Sequence, residues 1–303
     1  MTRKNAYSFL LLLGALIWGG AFVAQSVGMD YVGPFTFLWA RSVLSSLALL
    51  PVIWFINRKS GSRTALLPLR KDPKLALGGF LCGFFLFWAS YLQQAGLQYT
   101  TAGKAGFITA FYVALVPVFC VFLYKRRYSP LTWLGVVLAV AGLYFLGMNE
   151  KFSIQCGDLL VFLCSVVFAC QILSVDKYAA FTDCVRLSCV QFIVCSLLSF
   201  FGMLFFEHPT AKSLLSAALP ILYAGLLSGA VAYTLQVVGQ KYVEPAVASL
   251  IMSFESVFAA LFGWVILREA LSLRELAGCV LTFAAVLLVE LAPDPRERKR
   301  EDA

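Results

Sequence analysis

"YLQQAGLQ" at residues 91–98 and "YTLQVVGQ" at residues 233–240 carry Tyr, Gln and Gln at the same three positions, 142 residues apart. A second pair, "GVVLAVAG" from Gly135 and "GCVLTFAA" from Gly278, repeats Gly, Val, Leu and Ala at a separation of 143. One small gap reconciles the two offsets, so the chain reads as one unit used twice, with a seam near "NEKFSIQCG" (Asn149–Gly157). Self-similarity of this kind is the first thing to establish about a sequence, because it fixes the architecture before any motif is weighed.

The solvent of this unit follows from composition. Of 303 residues, 61% are hydrophobic and 13% charged, and the mean hydropathy is +0.84. A soluble domain needs about a quarter charged residues to cover itself, so lipid must take the place of water. Windows of about 19 residues give ten apolar segments at 6–24, 35–56, 75–95, 105–124, 131–149, 157–175, 186–206, 216–237, 246–267 and 274–292. The expected fold is an all-α membrane protein of ten transmembrane helices. The units run over 8–147 and 157–291, five helices each, followed by a charged tail at 293–303. The segment after "MTRKN" has the basic start of a signal peptide but continues without a small-x-small cleavage site into "IWGGAFVAQ", and so reads as the first membrane helix.

Five is odd, so the second unit starts on the opposite side of the membrane from the first. Inverted repeats of this kind mark many secondary transporters, whose substrate site lies between the halves near the bilayer midplane. Exchanging the two conformations between the halves would then give alternating access. Orientation follows from the basic residues of the connections. With the N-terminus inside, 18 Lys and Arg fall on the cytoplasmic side and 5 on the outer side, with Arg41 left inside the second helix. Both termini are therefore expected in the cytoplasm of a cell-membrane protein. The net charge of +8 is topological and invites no nucleic-acid reading, although the tail "RERKR" can touch anionic lipid.

The repeated Tyr-x-x-Gln-x-x-x-Gln pattern puts three side chains on one helical stripe. Two readings stand: the stripes line a cavity from its two mouths, with Tyr91 and Gln94 toward the outside and Tyr233 and Gln236 toward the inside, or they anchor helix ends at headgroups. Gln98 and Gln240 read as loop-end residues. Glu255, in the apolar run "SFESVFAALFGWVILRE" (Ser253–Glu269), is costly inside a bilayer and marks a functional position by default. It is a substrate or proton site, an ion-pair partner, or a polar residue in a wet vestibule. A carboxyl group out of water favours its neutral form, which would suit Glu255 to proton coupling. Arg41 either snorkels toward headgroups or meets Glu255 or an anionic substrate. Trp18, Thr109, Tyr112, Gln171, Gln191 and Ser253 complete the polar and aromatic candidates. Aromatic walls with a few amides suit an organic molecule better than a bare ion. Asp158 is read as an acid stabilising the start of the sixth helix.

Gly79 with Gly83 and Gly225 with Gly229 have the G-x-x-x-G spacing of close helix contacts, and Pro117 is expected to kink the fourth helix. Nine cysteines without a C-x-x-C pair read as packing residues, with neither a disulfide framework nor a metal site. No G-x-x-x-x-G-K-[ST] and no H-E-x-x-H occurs, and the single histidine, His208, lies in a loop beside Pro209. An enzyme is therefore not expected, and no cofactor. The expected partners are a small-molecule substrate and the lipid bilayer, with proton or other ion coupling as an option; nothing in the sequence fixes an oligomeric state.

"LIWGGAFVAQSVGMDYVGPFTFLWAR" (Leu16–Arg41), "AGFITAFYVALVPVF" (Ala105–Phe119) and "SFESVFAALFGWVILREALS" (Ser253–Ser272) resemble the EamA family of the drug/metabolite transporter superfamily over nearly the whole chain. Shared features are the Trp-Gly near the start, the Arg of the second helix and the L-x-E closing the ninth, here Leu267 and Glu269. Many members have Pro where this chain has Ser256, and the position matching Glu269 at the end of the fourth helix is Arg126. The resemblance implies a ten-helix inner-membrane carrier with both ends cytoplasmic and a cavity formed by the first, third and fourth helices of each half. It implies export of metabolites, amino acids or drugs; a nucleotide-sugar or sugar-phosphate carrier is the related alternative. A membrane-embedded enzyme or sensor is the alternative from another class.

Overall fold

The computed structural model describes residues 3–61, 65–100, 102–147, 156–267 and 272–290. Every regular element among the described residues is helical. The charged tail, Glu269 and most of the seam lie outside them. In chain order the elements are α1 (Arg3–Met29), α2 (Pro34–Lys59), α3 (Pro73–Leu97), α4 (Ala102–Thr109), α5 (Tyr112–Tyr124), α6 (Pro130–Gly147), α7 (Cys156–Ala179), α8 (Cys184–Phe206), α9 (Ala211–Ser216) and α10 (Ala218–Leu222). A π-helical stretch (Tyr223–Tyr233), α11 (Thr234–Gln240), α12 (Pro245–Met252), α13 (Phe254–Leu267) and α14 (Leu273–Glu290) follow.

Among the described residues, each of the ten apolar segments falls on helix. Eight continuous described stretches are long and apolar enough to cross a membrane, whereas the apolar helix Pro130–Leu146 is shorter and α14 carries Arg274 and Glu275 in its first turn. Large apolar side chains such as Phe122, Phe205 and Phe206 face outward, about three-quarters exposed, as lipid-facing helices require. Helix starts are written locally. Pro34, Pro73 and Pro245 occupy first-turn positions, where a missing N–H costs nothing. The side chains of Asp72, Asp183 and Glu244 accept from backbone N–H groups of α3, α8 and α12.

Packing joins the two halves throughout: α3 lies against α7 and α8, α2 against α8 and the π-helical stretch, α1 against α13, and α6 against α14. Glycine permits these approaches. A Cβ on Gly79 would stand 2.3 Å from Val190, one on Gly83 2.6 Å from the Gln191 carbonyl, and one on Gly229 1.9 Å from Ser45 Oγ. Both G-x-x-x-G pairs therefore mark contacts between the halves, α3 on α8 and the π-helical stretch on α2.

The α2–α8 pair is fastened at both ends. At one end the Glu207 carboxylate accepts from Phe35 N (2.9 Å), Thr36 N (2.8 Å) and Thr36 Oγ1 (2.6 Å), so a residue following α8 caps α2. At the other end Arg186 Nη2 donates to Asn57 Oδ1 at 2.6 Å. Positions 36 and 186 are 150 apart, as are 57 and 207, so the same two places on each helix carry both ties. Glu207→Ala is expected to lower stability by about 1–2 kcal/mol, the scale of a lost N-cap, and Thr36→Val by less. Thermal unfolding of the detergent-solubilised chain measures both; an unmoved midpoint for Glu207→Ala would remove the capping role.

The fourth and ninth segments are each broken into two helices. The first pieces, Ala102–Thr109 and Pro245–Met252, are 8 residues each and 143 apart. The fourth breaks at Ala110 and Phe111, where Val113 N and Ala114 N bond three residues back, upstream of Pro117. The ninth breaks at Ser253, whose Oγ donates to the Leu250 carbonyl, although no proline stands at Ser256. Pro117 itself stands inside α5, downstream of this break. Ser256 Oγ instead donates to the Gly106 carbonyl at 2.9 Å, joining the two broken helices.

Candidate functional site

Residues flanking the two helix breaks line a cavity between the halves, Thr109 and Tyr112 from one and Met252 and Glu255 from the other. Arg41 enters it from α2. Gly225 makes this approach possible, since a Cβ there would lie 3.0 Å from the Arg41 carbonyl oxygen, and Ser45 Oγ donates to the Gly225 carbonyl at 2.8 Å. Arg41 is 5% exposed and its Nη1 donates to Gln25 Oε1 at 3.1 Å. Close packing of α2 on the π-helical stretch holds Arg41 inside the bundle.

Glu255, in the first turn of α13, is also 5% exposed and lines the same cavity. Its Oε1 accepts from the Tyr112 hydroxyl at 3.0 Å. Among the described residues neither Arg41 nor Glu255 forms an ion pair, so the two opposite charges share a chamber without neutralising each other. Of the readings left open for Glu255, the ion-pair partner receives no support.

Amides surround the charges. Gln93 Nε2 donates to Thr109 Oγ1 at 3.1 Å, Gln236 Nε2 to Gln171 Oε1 at 3.2 Å, and Gln171 Nε2 to Gln191 Oε1 at 3.4 Å. Gln236 Oε1 and Trp18 Nε1 are buried and make no hydrogen bond with a described residue. Apolar walls come from Phe22, Phe168, Met252 and a ring pair in which Trp18 meets Tyr233 edge-on at 4.9 Å.

Trp18, Arg41, Thr109, Tyr112, Gln171, Tyr233, Gln236 and Glu255 thus line one cavity. Four expected residues do not join them. Gln191 is not part of the lining and reaches it only through Gln171. Tyr91 stacks on Phe35 at 4.2 Å, in an aromatic cluster between α2 and α3. Gln94 turns to the backbone of α1, its Nε2 donating to the Gln25 carbonyl at 3.2 Å. Ser253 is spent on the helix break. The cavity face of α3 is Gln93, one residue and about 100° around the helix from Gln94. Gln240 closes α11 at the loop end, as expected, but it is fully buried there and donates to the Ile172 carbonyl at 3.2 Å. Gln25, Gln93 and Ser228 are the polar lining residues that sequence reasoning passed over; for the two glutamines an amide inside an apolar run was the available signal.

Beyond the cavity, a second polar cluster ties the end of α5 to the end of α7 and the start of α12. Arg126 pairs with Glu244 at 2.7 Å and with Asp176 at 3.0 Å, and the Tyr128 hydroxyl donates to Glu244 at 2.6 Å. Burial works against the charged guanidinium, but the two carboxylates outweigh it, so the Arg126 pKa lies above the ordinary arginine range. At another place Asp158 pairs with Lys104 and accepts from Thr100 Oγ1 at 2.8 Å. Beyond its place in the first turn of α7, Asp158 is a cross-link to the α3–α4 connection.

Apolar helices of membrane-spanning length around a central polar cavity define a multi-pass membrane protein built to admit a solute. The EamA-like transporter family model matches the chain twice, over residues 5–148 and 155–291, and the protein belongs to that family. An uncharacterized transporter of Archaeoglobus fulgidus is 32% identical over 95% of this chain and 87% of its own length. The uncharacterized transporter YoaV of Bacillus subtilis is 24% identical over 90% and 92%. A solved crystal structure superposes with a TM-score of 0.72 at 18% identity, covering 95% of this chain and 97% of that one, a likeness of fold alone.

Proposed function

We propose that the chain is a secondary transporter of ten transmembrane helices, in two inverted five-helix repeats, that moves a small organic solute across the cell membrane by alternating access. The observation that carries this reading is the cavity itself: both halves build it, and it meets a broken helix from each half at positions 143 residues apart. The paired ties at separations of 150 between α2 and α8 support the repeat independently. Both termini lie in the cytoplasm on the charge distribution of the loops, and net movement is export, following the family resemblance.

With the N-terminus inside, the Arg126 cluster lies on the cytoplasmic side and closes the bundle below the cavity. Substrate contacts are assigned to Trp18, Thr109, Tyr112, Gln171, Tyr233, Gln236 and Glu255, with Arg41 as the second charged contact. Glu255 is the group available for proton coupling. Purified protein in liposomes tests the function: a labelled solute must exchange across the bilayer chemically unchanged. Failure of every solute in a broad panel of amino acids, metabolites and drugs would sink the transporter reading.

A further inference from the structure

We infer that Gln191, Gln171 and Gln236 form one reversible contact, through which the cavity takes either a hydrogen-bond donor or an acceptor of the solute at Gln236. The inference deepens the transport reading and rests on it. Gln171 and Gln191 are fully buried and Gln236 is 3% exposed. Gln236 Nε2 donates to Gln171 Oε1 at 3.2 Å, and Gln171 Nε2 donates to Gln191 Oε1 at 3.4 Å. The three amides therefore point the same way along a chain that runs from the cavity lining to α8 behind it. Its two ends, Gln236 Oε1 and Gln191 Nε2, have no hydrogen-bond partner among the described residues.

An amide holds an acceptor on one arm and two donors on the other, and a half-turn of its last torsion exchanges them. Turning all three keeps both hydrogen bonds and puts Gln236 Nε2 where Oε1 was. Neither direction has more hydrogen bonds than the other. Neighbouring amides lack this freedom. Gln94 and Gln240 donate to the carbonyls of Gln25 and Ile172, which only accept, and the Gln25 side chain accepts from Arg41, which only donates. No described protein group fixes Gln191 Nε2 in this way, and a water beside it can donate or accept. The direction of the chain is thus left to the group that meets Gln236.

The repeat gives Gln191 a place beyond packing. It stands 150 residues after Arg41, and both sit in the same contact. A Cβ on Gly225 would lie 3.0 Å from the Arg41 carbonyl oxygen and 2.8 Å from Leu44 Cβ; one on Gly83 would lie 2.6 Å from the Gln191 carbonyl oxygen and 2.6 Å from Val194 Cβ. From this position one half supplies a guanidinium, which offers donors alone, and the other anchors an amide chain that offers either polarity. A fixed buried polar group rejects an analogue that cannot pair with it. A reversible one accepts isosteres that exchange an amino group for a carbonyl.

The first arm of the test reads the amides in the full chain, labelled with 15N-glutamine in nanodiscs, each side-chain NH2 signal being assigned by its loss in a Gln→Met variant. Signals of Gln191 and Gln236 are expected doubled or exchange-broadened, those of Gln94 and Gln240 single. Gln191→Met leaves a neutral side chain whose sulfur accepts weakly and cannot donate, so Gln171 Nε2 should stay turned to it and the Gln236 signal should become single. The second arm uses isosteric pairs: cytosine with uracil, adenine with hypoxanthine, 2-aminopyridine with 2-pyridone. Binding is read as thermal stabilisation. Members of a pair that binds are expected within about threefold of each other in the wild type, and about tenfold apart in Gln191→Met, the amino member tighter. Single sharp signals for Gln191 and Gln236 in the wild type overturn the inference, as does a tenfold split within a pair that Gln191→Met leaves unmoved. If no pair binds, the amide signals decide. Solute exchange in liposomes would in either failure leave the transport reading standing, whereas reversible amides without exchange of any solute would count against transport alone.

Discussion

Glu255→Gln is expected to reduce solute exchange in liposomes about a hundredfold while leaving the protein folded. Gln is nearly isosteric and keeps an oxygen that can accept from Tyr112 Oη, so the helix break and its packing should survive. What disappears is the charge. A hydrogen bond to a charged group is worth about 1.5–3 kcal/mol, and each 1.4 kcal/mol is a factor of ten, which sets the scale of the loss. The pH dependence of exchange separates two roles. If Glu255 carries a proton during the cycle, the remaining activity of the variant becomes flat with pH across the range where the wild type changes. If Glu255 only holds the solute, the variant keeps the wild-type profile at a lower level. Undiminished exchange would remove Glu255 from the site.

Arg126→Gln is the second large effect. The guanidinium stands between Asp176 and Glu244, so its loss leaves two carboxylates near one another without a counter-charge. Breaking a buried ion pair by removing one partner costs about 3–5 kcal/mol, and that end of the bundle should open more often. A natural reporter lies beneath it: Cys120 is fully buried, and its carbonyl accepts from Arg126 N at 3.2 Å. Its modification by a thiol reagent, located by mass spectrometry of the peptide, should accelerate at least about tenfold in the variant. Equal protection of Cys120 in both proteins would mean that the cluster is not a closure.

Much of this was legible in the sequence, and the reasons differ by element. The helices were readable because lipid forces every backbone group into internal hydrogen bonds, leaving long apolar runs as the only spanning form. Glu255 and Arg41 stood out because a charge in such a run has no bland explanation. The stripe on α3 was misplaced because sequence repetition aligned Tyr91 with Tyr233 and Gln94 with Gln236, while the cavity takes Tyr233 and Gln236 from one helix and Gln93 from the other. Repeated letters record common descent, and helical phase toward a cavity is set by packing partners that the letters do not name. The break at Ser253 escaped because it carries no proline; a hydroxyl bonding to the backbone three residues back does the work. Glu207 as the cap of α2 joins positions 171 residues apart, a separation no local motif could reveal.

Tyr112 and Glu255 stand 143 residues apart, the same interval as the two helix breaks, so a duplicated ancestor would have placed one residue type at both. Divergence has made one a phenol and the other an acid, and has set Arg126 against Glu269 at a second such pair of positions. Two repeats that share a frame but not its chemistry cannot have equal energies. Under the alternating access proposed above, the chain should rest mostly in one of its two orientations, and its forward and return strokes should have different rates.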